Sequence, residues 1–139
     1  SLLEERRKPG ALNDKPHTDQ EAADLFKQWE ESLFEGGPRI QDGENFDDIR
    51  ARANEALQYV ASRKGKSILV VTHGMFLRAI TATVLFGDLF SVGLFGKMKK
   101  NMKTENTGLT VVQYDSEVSD PTWDAHWRLL TWNDHAHLG

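Results

Sequence analysis

The stretch KSILVVTHGMFLR, residues 66–78, constrains the fold of this chain more than any other segment. Its run SILVVT is short, rich in β-branched residues and apolar on both faces, which is typical of a central parallel strand covered by helices. Helical patterns lie on both sides, and the order helix, tight turn, strand, helix predicts an α/β fold. The strand delivers His73 and Gly74 to the start of the following helix.

Two helices are predicted before this strand. Residues 1–18 contain several turn formers and predict an extended loop. From Asp19 onward, apolar residues recur at helical spacing until a GGP break. Asn45 can cap a second helix, which we expect Gly65 to end in the left-handed conformation.

Further elements are predicted after the strand. The segment MFLRAITATVLFG predicts a helix that ends at Gly87, and DLFSVGLFGKMKKNM predicts a short helix and a loop. GLTVVQYD and HWRLLTWN predict two strands on either side of a turn at Asp120 and Pro121. With 139 residues, the chain suits a single domain, residues 1–139, that is large enough to bury a core.

Composition restricts the classes of function. The net charge of -4, from 17 basic and 21 acidic residues, provides no general attraction for nucleic acid or an anionic membrane. An anionic ligand must therefore be attracted by a local site. The absence of cysteine excludes disulfide and thiolate chemistry, and no apolar stretch approaches the roughly 18 residues of a membrane span, so we expect a cytoplasmic location.

His73 is the first candidate functional residue. Ligands of open α/β sheets bind outside the carboxyl ends of the strands, where Gly74 would let backbone approach and the helix N-terminus would attract an anion such as phosphate. A histidine at this position can donate to phosphate oxygens or act as an acid or base near neutral pH. The alternative is a structural histidine that hydrogen-bonds a neighbouring loop.

Glu5, in the opening LLEERRK segment, is the second candidate. Leu2 and Leu3 can anchor the loop, and a glutamate held near a phosphate could remain protonated and donate its proton to a leaving oxygen. The alternative is a solvated run of charges.

Other polar and aromatic clusters are expected to be structural. His135 and His137 have a spacing that could hold a metal, but no third ligand is evident and we predict no metal site. Asp42-Gly43-Glu44 could form a ligand loop, but we expect a turn with acids in the first turn of a helix. We expect packing roles for Trp123, Trp127 and Trp132. A basic cluster is expected to be solvated or to lie over an anionic substrate: Lys97, Lys99, Lys100 and Lys103.

Taken in order, the motifs resemble a known family. LLEERRKPG, GENFDDIRARANEAL, ILVVTHG, NTGLTVVQYD and W-x-L-x-x-x-N-D-x-x-H-L are similar to the later two-thirds of the histidine phosphatase superfamily, the phosphoglycerate mutase-like proteins. The resemblance implies a three-layer α/β/α fold with a mostly parallel central sheet. It also implies phosphoryl transfer through a covalent phosphohistidine, with no metal or cofactor and with a small phosphorylated molecule as substrate.

The resemblance assigns roles to five residues. His73 corresponds to the second histidine, which binds the transferring phosphoryl group, and Glu5 corresponds to the general acid. Gly74 would shape the turn beside the phosphate, and Asn106 and Thr107 would lie at the rim of the pocket.

The sequence departs from the family pattern at the nucleophile. Members carry it in an Arg-His-Gly motif after the first strand, whereas only His73 among the five histidines here precedes a glycine. We therefore expect the first strand to lie before Ser1, and these residues to be the inactive C-terminal two-thirds of a domain. The edge at residues 68–72 would then be unpaired and would be completed by an N-terminal piece, rearranged, or paired in a homodimer.

Three alternatives to a phosphatase remain open. The chain could belong to a degenerate member that binds a phosphorylated ligand or a protein without chemistry, or to a phosphomutase. It could also be a plain α/β module that shares only the fold.

Overall fold

Helices and one small sheet form the part of the chain described by the structure, a computed structural model that covers residues 2–16, 18–118 and 125–139. The elements are α1 (Gln20–Phe34), α2 (Phe46–Ala61), α3 (Gly74–Phe86), α4 (Val92–Asn101), β1 (Leu109–Tyr114) and β2 (Trp127–Asp134). Single 3-10 turns lie at Gly10–Leu12, Gly87–Leu89 and Ala136–Leu138. The mixed class of helices and sheet is as predicted. None of the helices in the described ranges combines the length and the apolarity of a bilayer span.

The first two helices begin at the predicted residues because their side chains satisfy free backbone N–H groups. Asp19 Oδ1 accepts from Ala22 N at 3.1 Å, at the start of α1. At the start of α2, Asn45 Oδ1 accepts from Asp48 N, and Asp48 Oδ2 accepts from Asn45 N, each at 3.1 Å. This reciprocal pair is a capping box, an arrangement that stabilises a helix start by about 1 kcal/mol.

One of the two predicted glycine caps is wrong. The second helix, α2, ends at Ala61 with Ser62 as its cap, and Gly65 does not have the positive φ of a left-handed cap. Gly87, in contrast, follows α3 directly and has a φ of 51°. Because side chains disfavour this backbone region, glycine is suited to end α3 there.

The core lies between the four helices. The Phe90 ring meets the Phe46 ring at 5.1 Å and the Phe95 ring at 5.3 Å, both edge to face. Leu2 and Leu3 pack against this cluster, as predicted for the anchors of the opening loop. The remaining buried members are Leu33, Ile49, Ala53, Ala56, Phe76, Ala79, Ala82 and Met98.

The sheet is the antiparallel pair β1–β2, which confirms both predicted strands. Leu109 is opposite Asp134 and Tyr114 is opposite Trp127, with irregular register near Val111. The predicted turn at Asp120 and Pro121 and the predicted packing of Trp123 lie outside the described residues.

The predicted central strand at residues 68–72 is not part of a sheet in the structure. Within the described ranges, no segment pairs with it and no parallel sheet forms, so the three-layer arrangement is not seen. The physical reason is that a strand is stable only when a neighbour satisfies its backbone groups. Leu69 is 84% exposed and Val71 is 79% exposed, which agrees with the expected uncovered edge.

Candidate functional site

His73 is the residue immediately before α3, and its ring is exposed. The backbone is extended, with φ −108° and ψ 156°, and the His73 carbonyl accepts from Leu77 N at 2.8 Å. The ring makes no hydrogen bond or ion pair to the residues that the structure describes. The structural alternative, a bond to a neighbouring loop, is therefore not observed, and the ring is available to a ligand beside the free N–H groups of α3.

Gly74 lies under the loop that follows α4. A Cβ atom at this position would be 2.8 Å from Thr104 Oγ1, closer than side chains tolerate. The sequence predicted a glycine that lets backbone approach a ligand, and the structure adds a second reason, the close approach of Thr104. The loop at residues 102–108 is thereby held beside the start of α3.

Arg78 links the same loop to α3, a role that sequence analysis missed. Its guanidinium donates to Met102 O at 2.9 Å, Thr104 Oγ1 at 3.0 Å and Gly74 O at 3.3 Å. Partial burial lowers the pKa of Arg78, and the negative charge of Glu5 opposes this effect. The sequence feature that could have indicated this role is the position of Arg78, a lone arginine in an otherwise apolar helical segment, five residues after His73.

The opening loop reaches the same end of α3. Thr72 Oγ1 donates to Leu3 O at 2.7 Å, which joins the residue before His73 to the LLEER segment. Glu5 is exposed, and its Oε1 accepts from Arg6 N at 2.9 Å. The structure therefore brings the Glu5 loop and the His73 turn together, although it shows no direct contact between the two side chains.

Arg6 holds this loop in place, and its charge is buried, because the residue is only 6% exposed. Its guanidinium donates to Glu44 O at 2.8 Å and Ser32 Oγ at 3.1 Å, and it stacks 3.9 Å from the centre of the Trp29 ring. Burial lowers the pKa of Arg6 to about 10, against the opposing charges of Glu30, Glu44 and Glu5. For Arg6, the expectation of a solvated run is wrong.

Glu44 and Arg52 form a second anchor. Glu44 Oε2 lies 2.8 Å from Arg52 Nη2, and the Arg52 guanidinium also donates to Glu4 O at 2.7 Å. The turn predicted at Asp42-Gly43-Glu44 is confirmed by the bond from Gly43 N to Ile40 O. The role predicted for Glu44 is wrong, because it lies before α2 and binds Arg52, whereas the first-turn acids are Asp47 and Asp48.

Asn106 and Thr107 lie in an exposed turn that is closed by a 3.1 Å bond from Gly108 N to Glu105 O. Thr107 has a φ of 63°, an unfavourable conformation for a β-branched residue. The turn follows Thr104 directly, so it lies beside the start of α3. No contact of either residue with His73 is observed.

The other clusters are bonded within the protein. His135 Nδ1 donates to Asn133 O at 2.9 Å, and the described ranges contain no group of three or more His, Cys, Asp or Glu that could hold a metal. Lys99 pairs with Glu30 at 2.9 Å. The ring of Trp127 packs against that of Tyr114 at 4.8 Å.

Comparisons with known proteins identify the family. Residues 7–135 match the family model of the histidine phosphatase superfamily (branch 1). The chain is 32% identical over 97 residues to a metal-independent phosphoserine phosphatase of Arabidopsis thaliana. This match covers 69% of the chain and 33% of the relative, so the chain spans about a third of the length of that protein. No solved structure matches significantly.

The family match includes four of the five predicted site residues, and Glu5 lies two residues before it. Since the match extends over most of the chain and the relative is a phosphatase of the same superfamily, the resemblance inferred from the motifs is confirmed. The chain belongs to the histidine phosphatase superfamily.

Proposed function

We propose that these residues form part of a metal-independent phosphomonoester hydrolase that acts through a phosphohistidine. His73 binds the phosphoryl oxygens, and Glu5 is the general acid. The observation that carries the proposal is the exposed His73 ring at the N-terminus of α3, which no described residue bonds and which lies beside the loop that Thr72 joins to Leu3. The two residues reach this end of α3 from parts of the sequence about 70 positions apart.

The proposed reaction has two steps. A histidine nitrogen attacks phosphorus, the bond from phosphorus to the leaving oxygen breaks, and Glu5 gives its proton to that oxygen. Water then attacks the phosphorus of the phosphohistidine, its proton passes to the Glu5 carboxylate, the bond from phosphorus to the histidine nitrogen breaks, and inorganic phosphate leaves. His73 donates to the oxygens on which charge develops, and the free N–H groups of α3 favour the same charge.

The nucleophile is not among these residues, since the sequence contains no Arg-His-Gly. We propose that a strand outside the 139 residues carries it and pairs with residues 68–72. Pairing would turn this exposed apolar segment into a central strand of the mostly parallel, three-layer α/β/α sheet. The alternative partner is a second copy of the chain, joined through the same edge.

Small phosphorylated molecules are the proposed substrates. The name of the Arabidopsis relative makes phosphoserine the first compound to test. The cytoplasmic location remains a prediction from the sequence.

A second candidate function is a non-catalytic member that binds a phosphorylated ligand or a protein. The absence of Arg-His-Gly from these residues favours it. One experiment distinguishes the two functions. The full product of the gene is incubated with phosphoserine and with an aryl phosphate, each radiolabelled on its phosphate.

A hydrolase releases inorganic phosphate in the presence of a chelator and traps label in a protein bond that acid breaks and alkali preserves, as phosphohistidine requires. Ligand binding without release or labelling would support the non-catalytic member and refute the hydrolase. Release that a chelator abolishes would also refute the metal-independent mechanism.

A further inference from the structure

The NDHAHL segment, residues 133–138, bonds the turn that carries Asn106 and Thr107. Asn133 Oδ1 accepts from Glu105 N at 3.0 Å, and Asn133 N donates to Thr110 Oγ1 at 3.1 Å. One residue therefore bonds the chain on both sides of the turn.

Close packing supports this contact. Asn133 is 7% exposed, and a Cβ atom on Gly108 would lie only 2.1 Å from Asn133 Oδ1. Only a glycine at position 108 lets the amide side chain enter the turn. Asn133 has a φ of 48°, a conformation that asparagine tolerates better than most residues.

A second contact comes from the same segment. His137 Nε2 and Thr107 Oγ1 lie 3.3 Å apart, within hydrogen-bonding distance. Thr107 itself has the unfavourable positive φ described above. A strained residue persists only where its surroundings hold it, and here the surroundings include Asn133 and His137.

The turn is continuous with the loop that covers the start of α3. Thr104, next to Glu105, accepts from the Arg78 guanidinium and lies against Gly74. The path from Asn133 to the residue after His73 thus consists of short contacts along a single loop.

We propose that Asn133 is a positioning residue, which holds the 105–108 turn so that Asn106 and Thr107 form the rim beside His73. The inference rests on the proposed function, because the rim has a role only if His73 binds a phosphoryl group. Asn133 acts through the turn and does not touch the reacting atoms.

Three substitutions separate the acceptor from the backbone conformation. Asn133→Gly keeps the positive φ and removes Oδ1, Asn133→Asp keeps an acceptor oxygen, and Asn133→Ala loses both features. Asp134→Asn is the matched control, since Asp134 Oδ1 accepts from Ala136 N and an asparagine can do the same.

The first measurement is amide hydrogen exchange of Glu105 by NMR, which needs no activity. We expect Asn133→Gly to accelerate this exchange roughly fivefold or more, the effect of losing one hydrogen bond, while Asn133→Asp and Asp134→Asn stay near the wild-type rate. Unchanged exchange in Asn133→Gly would show that Asn133 does not hold the turn.

The second measurement is hydrolysis of an aryl phosphate by the full product of the gene. Asn133→Gly should raise KM more than it lowers kcat, and Asn133→Asp should restore the wild-type KM. Faster exchange with unchanged KM and kcat would overturn the positioning role and leave the proposed function standing. A wild-type protein without hydrolysis would instead overturn the proposed function and the catalytic role of the rim, and the exchange rates would still decide whether Asn133 holds the turn.

Discussion

Replacing Arg52 by methionine tests how the opening loop is held beside α3. The Arg52 guanidinium pairs with the Glu44 carboxylate at 2.8 Å, and the two side chains are only 12% and 10% exposed. It also donates to the carbonyls of Leu2 and Glu4. The substitution therefore removes a largely buried cation together with its hydrogen bonds to Leu2, Glu4, Glu5 and Glu44.

The expected loss of stability is large because the remaining carboxylate stays buried. Breaking one partner of a buried pair costs about 3–5 kcal/mol, a large fraction of the roughly 5–15 kcal/mol by which a domain is stable. Methionine preserves apolar contact with the Phe76 ring, over which the guanidinium lies at 4.0 Å, so the loss reports mainly on the charge and its bonds.

Urea unfolding followed by far-UV circular dichroism measures the change. Arg39→Met is the matched control, because Arg39 pairs with Asp48 as a 66% exposed side chain and should contribute far less stability than the buried pair. The double variant Arg52→Met/Glu44→Gln should be less destabilised than Arg52→Met, since no buried charge is left behind. A loss of unfolding free energy in Arg52→Met no greater than that in Arg39→Met would refute the stabilising role of the buried Arg52–Glu44 pair.

Three further predictions concern stability and assembly. Among the residues that the structure describes, Thr81 Oγ1 has no hydrogen-bond partner, and it is fully buried. Thr81→Val should therefore raise the free energy of unfolding by about 1 kcal/mol, and a lower value from urea unfolding would contradict this. The hydrogen bonds of Arg39 lower the pKa of Asp48 in the folded state, so this stabilisation is present above the unfolded pKa of about 4 and is lost as pH falls through the lower folded value. The free energy of unfolding should thus fall less steeply between neutral and acid pH in Asp48→Asn than in the wild type. Equal slopes would exclude Asp48 as a contributor to the pH dependence of stability. The homodimer stays a prediction: if the exposed edge joins two copies, sedimentation should show a dimer that Val71→Lys converts to a monomer, whereas a wild-type monomer at high concentration would rule it out.

Helix starts were predictable from the sequence because they depend on local contacts. Asp19 and Asn45 bond N–H groups three residues away, and nothing distant is needed to place them. Gly87 also ends α3 for a local reason, its own positive φ. Gly65 was not needed as a cap because α2 ends at Ala61, with Ser62 as its cap.

The contacts that build the site were less predictable, because they join distant residues. The charge run around Arg6 gives no sign that this guanidinium is buried against Trp29, 23 residues away. Pairing of residues 68–72 depends on a neighbouring strand, and an apolar pattern can predict a strand without supplying its partner. His73 and Glu5 were candidates from the sequence pattern, and the family resemblance gave them their roles. Asn106 and Thr107 came from the resemblance alone, whereas Arg78 and Asn133 emerged only from the folded contacts.

Hydrolysis by the full product of the gene, compared between His73→Ala and wild type, tests the central claim most directly. His126→Ala is the control, since His126, immediately before β2, bonds Asp115 O through its Nδ1. We expect His73→Ala to lower kcat/KM for an aryl phosphate by about 10²–10³, the effect of losing one donor to the developing charge, and His126→Ala to have little effect. Equal kcat/KM values for His73→Ala and wild type would contradict that claim.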